Sequence, residues 1–265
     1  MKIQVGAGGV LIDGFKNVDI RAVDGVDIVA DASDLKTIKN GEVEILFGHA
    51  VFEHFFLGHQ LAALREWKRV IGSQGVLIML GIPDFEAVAR LYVEGARGIV
   101  GERFDLHNVY RYSHGEPEHA TQPVWKEWRA TNGDAPDGWI PQLHKALFDA
   151  SYLRDLLAEC GLRGVIFNYA YPGEVHPLNL GFIATEQPMR ASNGTLLKTI
   201  HATLDRIPNV GKFGNFETIL VNESRKSPEG LLALAKSLET DQPTSKMGKI
   251  KRRLGRMLSA FLPFF

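Results

Sequence analysis

Cysteine is nearly absent: the 265-residue chain has one, Cys160. No disulfide can form within the chain, and a reducing compartment is the expectation. Nor does any uninterrupted apolar run approach the ~20 residues that a membrane-spanning helix needs. The first residues, MKIQV, lack the basic-then-apolar pattern of a secretory leader, so a cytoplasmic location is expected. No stretch repeats another. Acidic residues are missing from 246–265, where Lys246, Lys249, Lys251, Arg252, Arg253 and Arg256 bring +6; the net charge of −1 therefore leaves −7 on the other 245 residues. A nucleic-acid partner requires a basic face. A body summing to −7 is a poor candidate for one, so no such partner is expected.

Apolar residues make up 45% of the chain, enough for one enlarged α/β domain or a domain with an appendage. In the first half, short β-rich runs alternate with helical patterns, which argues for a parallel sheet with crossover connections. The strands are expected at Lys2–Val5, Phe15–Asp19, Asp27–Ala30, Val43–Phe47 and Val76–Leu80. Between the last two, Leu57, Leu61, Leu64, Val70 and Ile71 recur at helical spacing, and Gly72 supplies the stop. The segment GIPDFEAVARLYVEG reads as a loop feeding another helix. Residues 97–143 follow no steady period yet hold Trp125, Trp128 and Trp139, the mark of an insertion that forms a lid or binding wall. A further helix is expected in FDASYLRDLLAECG, with Asp149 or Ser151 as N-cap, Leu153, Leu156 and Leu157 inward, and Gly161 at its end. GVIFNYAYP and NLGFIATEQP read as two strands around a turn, and FETILVNE as one more. Helical stretches are expected near 192–206 and 228–238, the latter opened by Ser227-Pro228, and SLETDQPTSK reads as a linker.

The cluster Gly6-Ala7-Gly8-Gly9 follows the first strand, and Asp19 ends the second. Glycines there let the backbone come close to a ligand, and an acid closing the next strand can accept hydrogen bonds from ribose hydroxyls. A dinucleotide fingerprint requires G-x-G-x-x-G and an acid about 20 residues on. The third spaced glycine is absent, and Asp19 comes only 11 residues after Gly8. The connection holds about one helical turn, which disfavours a pyrophosphate and with it a nicotinamide oxidoreductase. A ligand without phosphates fits better.

The series VGAGG, GFKNVDI, DIVADASDL, ILFGHAVFEHF, ALREWKRVIGSQGVLIMLGIPDFEAVARLY and LHKALFDASYLRDLLAECGL, in that order, resembles a class I S-adenosylmethionine-dependent methyltransferase. It is most similar to the type 11-like group linked to polysaccharide and glycolipid assembly. The likeness covers roughly residues 2–170, with strands to about 186 completing the sheet. It implies an α/β domain over 1–186, a Rossmann-like, mostly parallel sheet with helices on both faces, broken by the 97–143 insertion. Residues 187–245 would form an α+β extension, and 246–265 a basic tail. The resemblance further implies S-adenosylmethionine as cofactor, with Gly6, Ala7 and Gly8 lining its methionine part and Asp19 on the ribose. Ile20 would pack on the adenine, Asp31 and the Ala32 amide would read its edge, and His49 and Ala50 would lie beside the methionine carboxylate and sulfonium. Two other readings stay open: Asp31 or Asp34 caps a short helix after DAS, and Asp19 caps a turn. The chain departs from the family pattern in having Gln4–Val5 in place of the acid before the loop, and no room for a helix between the first two strands.

Methyl transfer is an in-line displacement in which the protein aligns the acceptor and excludes water. A base adds ~10²–10⁴-fold when the acceptor is a weakly nucleophilic hydroxyl. His144 in LHKALFD is the first candidate, matching the family's His-bearing stretch. His54 in FEHF is the second, although Glu53 and His54 could equally shape the loop after the fourth strand. Asp84, at the end of the fifth strand, lies where doubly wound sheets bind ligands, or else caps the next helix. His107, His114 and His119, with Glu116 and Glu118, match no compact ligand spacing, so no metal site is expected. Cys160 lies on the apolar side of its helix and reads as a core thiol.

In 246–265, Met247, Ile250, Leu254, Met257, Leu258 and Phe261 share one helical face and the cations the other. Such a segment could lie on the inner, anionic face of a membrane, or dock on the body or on a second copy of the chain. The expectation is therefore a methyltransferase acting on a saccharide or small hydroxylated acceptor, cytoplasmic or peripheral at the membrane, with homo-oligomerisation open. The rival is a non-catalytic, methyltransferase-like binding module that holds a polysaccharide-assembly enzyme near the membrane.

Overall fold

The computed structural model describes residues 1–8, 10–96, 104, 106–114, 143–171, 174–187, 193–208, 210–212 and 215–221. Five short strands come first: β1 (Lys2–Val5), β2 (Lys16–Asp19), β3 (Ile28–Val29), β4 (Ile45–His49) and β5 (Val76–Pro83). All pair in parallel, β2 and β4 flanking β1. β6 (Arg163–Ala170), β7 (Asn179–Thr185) and β8 (Asn215–Val221) complete one sheet of order β3-β2-β1-β4-β5-β7-β6-β8. β7 runs antiparallel between β5 and β6, and β8 runs antiparallel to β6. The order 3-2-1-4-5 reverses direction at β1 and β4, as in the doubly wound nucleotide-binding sheets. The expected Rossmann-like, mostly parallel sheet is what the chain forms.

Helix α1 (Leu57–Ile71) ends at Gly72, whose φ of +57° terminates it as expected. α2 (Phe85–Glu94) is capped by Asp84, which accepts from the Glu86 and Ala87 amides. α4 (Ala150–Glu159) is capped by Asp149 rather than Ser151. Together α1 and α4 cover one sheet face, where Trp67, Phe52, Phe148 and Phe182 join Ile3, Val5, Leu46 and Leu77 in the main core. Cys160 is buried there as well. α5 (Asn193–Leu204) and the loop through Ile12 and Phe15 cover the other face, over Ile45, Phe47, Ile78 and Leu80. Residues of β5 project into both layers, so its unbroken apolar run suits a strand buried on both faces.

The strand expected at Val43–Phe47 is displaced to Ile45–His49, because the Val43 amide instead donates to the Val70 carbonyl at the end of α1. β3 shrinks to two residues, with Asp27 turned aside to accept from the Asn17 amide at 2.7 Å. Within the stretch read as aperiodic lies a helix, α3 (Leu106–His114). Tyr112 stacks on Phe104, and both pack with Val88 and Leu91 of α2. Apart from Phe104, α3 and Leu143, the stretch 97–143 lies outside the described residues, as do the helix expected at 228–238 and the tail 246–265. Among the described residues no helix is long and apolar enough to cross a membrane.

Candidate functional site

The ends of β1 and β2 build the first half of the site. Gly6 and Gly8 have φ of +62° and +55°, a region that side chains resist. A Cβ on Gly6 would lie 2.2 Å from Val51 Cγ2, whereas at Gly8 the nearest atom is Arg21 Nη2 at 3.7 Å. Gln4 donates from Nε2 to the Val10 carbonyl at 2.8 Å and so pins the loop to β1. The Ala7 amide donates to the Val18 carbonyl. Asp19, at the end of β2, accepts from the Gly8 amide at 2.8 Å, and from the Arg21 amide and Nε at 2.9 and 3.1 Å. Burial opposes ionisation of Asp19, but the hydrogen bonds from Arg21 and Gly8 outweigh it and hold the carboxyl below its usual range. Ile20 is 64% exposed, an apolar plate beside the loop. Asp31 caps a turn, not a helix: its Oδ1 accepts from the Ser33 amide and hydroxyl at 2.7 and 2.6 Å. The Ala32 carbonyl accepts from Trp67 Nε1 at 2.7 Å.

The second half follows β4. Beyond His49, Ala50 has φ +51°, the one left-handed non-glycine among the described residues, and its amide is held on the Leu80 carbonyl. A conformation costing ~1–3 kcal/mol persists only where its surroundings enforce it. His49 Nε2 lies 2.8 Å from the Tyr171 hydroxyl. Tyr169 accepts from the Gly81 amide at 2.7 Å and donates to the Tyr171 hydroxyl at 3.4 Å. Burial pushes both phenols above their usual range.

A strap at 143–148 then brings distant residues together. Its Lys145 amide donates to the Glu53 carbonyl at 2.8 Å, and Lys145 Nζ to the His54 carbonyl at 3.1 Å. His54 Nδ1 lies 3.1 Å from the Leu143 carbonyl, and His144 Nδ1 lies 3.0 Å from the Tyr112 carbonyl. A carbonyl can only accept, so in both rings Nδ1 carries a hydrogen, and a neutral ring then has its lone pair on Nε2. The two rings meet edge to face, 5.3 Å apart. Glu53 is 1% exposed, with Oε1 3.8 Å from His54 Nε2 and Oε2 without a hydrogen-bond partner. Burial pushes the Glu53 carboxyl up to about 8 and the His54 imidazole down to about 4. Near neutral pH their contact is therefore between uncharged groups, not an ion pair.

His54 and His144, the two histidines expected as candidate bases, are thus neighbours. Asp84 joins the same strap through a backbone bridge to Phe148. Its carboxyl is spent on capping α2 and on Asn168 Nδ2. Arg21, Tyr169 and Tyr171 are additions that sequence reasoning missed. NYAYP did carry a signal, since residues two apart at a strand end face the same side.

No protein-family model matches the chain, and no curated protein does. Among solved structures, it is similar to an S-adenosylmethionine-dependent methyltransferase of Methanosarcina mazei, at 12% identity over 71% of this chain and 92% of that one, with a TM-score of 0.42. A Thermotoga maritima methyltransferase gives 13% identity over 70% and 82%, with a TM-score of 0.41. One from Aquifex aeolicus gives 12% over 69% and 79%, with a TM-score of 0.36. None of the three bears on substrate or activity here.

Proposed function

We propose that the chain transfers a methyl group from S-adenosylmethionine to a hydroxyl of a saccharide or other small hydroxylated acceptor. The observation that carries this reading is the Asp19 carboxylate on the Gly8 amide, across the ends of β2 and β1 and next to the β1/β4 point where the strand order reverses. Ligands of doubly wound sheets bind there. The donor set fits an adenosyl group: a carboxylate acceptor for ribose hydroxyls, the exposed Ile20 for the adenine, and a loop with no helix N-terminus for phosphates. Gly6, Ala7, Gly8, Asp19, Ile20, His49 and Ala50 would hold it. When bound, the cofactor supplies an electrophilic methyl on a sulfonium. Of the two imidazoles, His144 is the group to take the acceptor's proton, since burial lowers the His54 imidazole to about 4 and makes it the weaker base. Segment 49–54 carries both halves, since Val51 touches the glycine loop and His54 the strap.

A second reading, the non-catalytic binding module, is favoured by two contacts. Val51 fills the space against Gly6, and Arg21 already engages the Asp19 carboxylate. Calorimetric titration with S-adenosylmethionine and with NAD separates the readings. The expectation is micromolar binding of the former only, weakened at least tenfold by Asp19→Ala and at least as tight in Arg21→Ala, which frees the carboxylate. Absence of heat with S-adenosylmethionine would transfer the assignment to the binding module.

A further inference from the structure

We propose that Glu53, His54 and His144 form a binding site for a divalent transition-metal ion of the zinc class. One ligand atom from each residue lies within 4.8 Å of the other two. In a tetrahedral zinc site with bonds of ~2.0–2.1 Å, ligand atoms stand about 3.4 Å apart. The 3.8 Å between Glu53 Oε1 and His54 Nε2 needs a few tenths of an ångström of contraction, and the limit of 4.8 Å on the other pairs at most about 1.4 Å.

The imidazoles are also set up as ligands. Each has Nδ1 on a backbone carbonyl, of Leu143 and of Tyr112, the kind of outer contact that fixes the ring orientation of metal-binding histidines. An independent mark is Glu53 Oε2, which is buried with no partner in the fold. A buried carboxyl oxygen left without a partner is destabilising, and a cation would satisfy it. Two imidazoles and one carboxylate suit zinc, cobalt or ferrous iron better than calcium or magnesium. The His54 side chain is 22% exposed, which gives an ion a way in. Lys145, next to the cluster, has its Nζ donating to the His54 carbonyl. Three protein ligands leave a coordination position open to water or an acceptor hydroxyl, whose acidity the ion would raise. The same Nε2 atoms would then hold the ion instead of taking the proton. The site itself does not rest on the methyl-transfer reading.

The test uses the full chain, stripped with chelator and titrated with Co²⁺, followed by visible ligand-field absorption and displacement with Zn²⁺. The expected result is one ion per chain. Affinity should fall at least tenfold in His144→Ala and in Glu53→Gln, with far-UV circular dichroism confirming that each variant is folded. His59→Ala, an exposed histidine outside the cluster, should keep the spectrum, and so should Asp19→Ala, which disables only the proposed cofactor loop. No Co²⁺ spectrum in the wild type, or one that survives in folded His144→Ala or Glu53→Gln, overturns the proposal.

Discussion

Asp84 accepts hydrogen bonds from the first turn of α2 while only 2% exposed, so its ionised form has hydrogen bonds but little water. Burial wins over those bonds and raises the carboxyl from 3.8 to about 6. Between those values the folded chain binds more protons than the unfolded one. This residue's contribution to stability is therefore greatest below about pH 4 and falls as pH rises to about 6, by on the order of 3 kcal/mol. In Asp84→Asn the side-chain oxygen still caps the helix, and the charge is gone. Denaturant unfolding at pH 4 and at pH 7 should show the variant gaining on wild type at the higher pH. An equal difference at both pH values would show that burial of the charge is not what shifts the group. The sequence left Asp84 between cap and catalytic acid, because a strand end before a helix pattern places both. Only the burial and the partner Asn168 show where its carboxyl is spent.

The elements that could be read from the chain are those whose signal is local. α1 and α4 combine apolar period with a stop or a cap, and β5 is a single apolar run; each forms close to where it was expected. The strap 143–148 has neither period nor turn signal, because its structure comes from backbone contacts with Glu53, His54 and Phe85 far away in the chain. For that reason the cluster of Glu53, His54 and His144 could not be assembled from sequence, although each histidine could be singled out. The glycine loop and Asp19 were legible; the guanidinium over them was not, because nothing local distinguishes Arg21 from a solvated cation. A similar long-range dependence holds the connection before β4. Arg69 of α1 donates to the Leu35 and Ile38 carbonyls, to Asn40 Oδ1 and to Glu66. Arg69→Ala should cost about 2 kcal/mol, since bonds to a charged donor contribute ~1.5–3 kcal/mol, and should speed hydrogen exchange at 35–43. Arg69→Lys should recover only part, because a single ammonium cannot span the same acceptors. Unchanged exchange in the alanine variant would mean the connection is held by Leu35 and Ile38 packing alone.

Among the described residues, the groups proposed to act gather at the carboxyl ends of β1, β2, β4 and β5. The charge is as unevenly divided, with −7 on residues 1–245 and +6 on 246–265. Were the basic segment to rest on the acidic body, the attraction would be internal and little would remain for a surface. If instead its apolar face, Ile250, Leu254 and Leu258 among others, enters an anionic bilayer, each cation near the lipid adds ~1 kcal/mol. Binding would then weaken steeply with salt, because the Debye length falls from ~10 Å at 0.1 M to ~3 Å at 1 M. Co-sedimentation of the full chain with vesicles of neutral and of anionic lipid tests this without truncation. Pelleting should require the anionic lipid, decline with added salt, and drop by roughly a hundredfold in affinity in the triple variant Lys251→Gln, Arg252→Gln, Arg253→Gln, three lost charges being about 3 kcal/mol. Equal pelleting of wild type and triple variant would assign the segment to the body or to a second copy, and sedimentation velocity of the two proteins would then tell which.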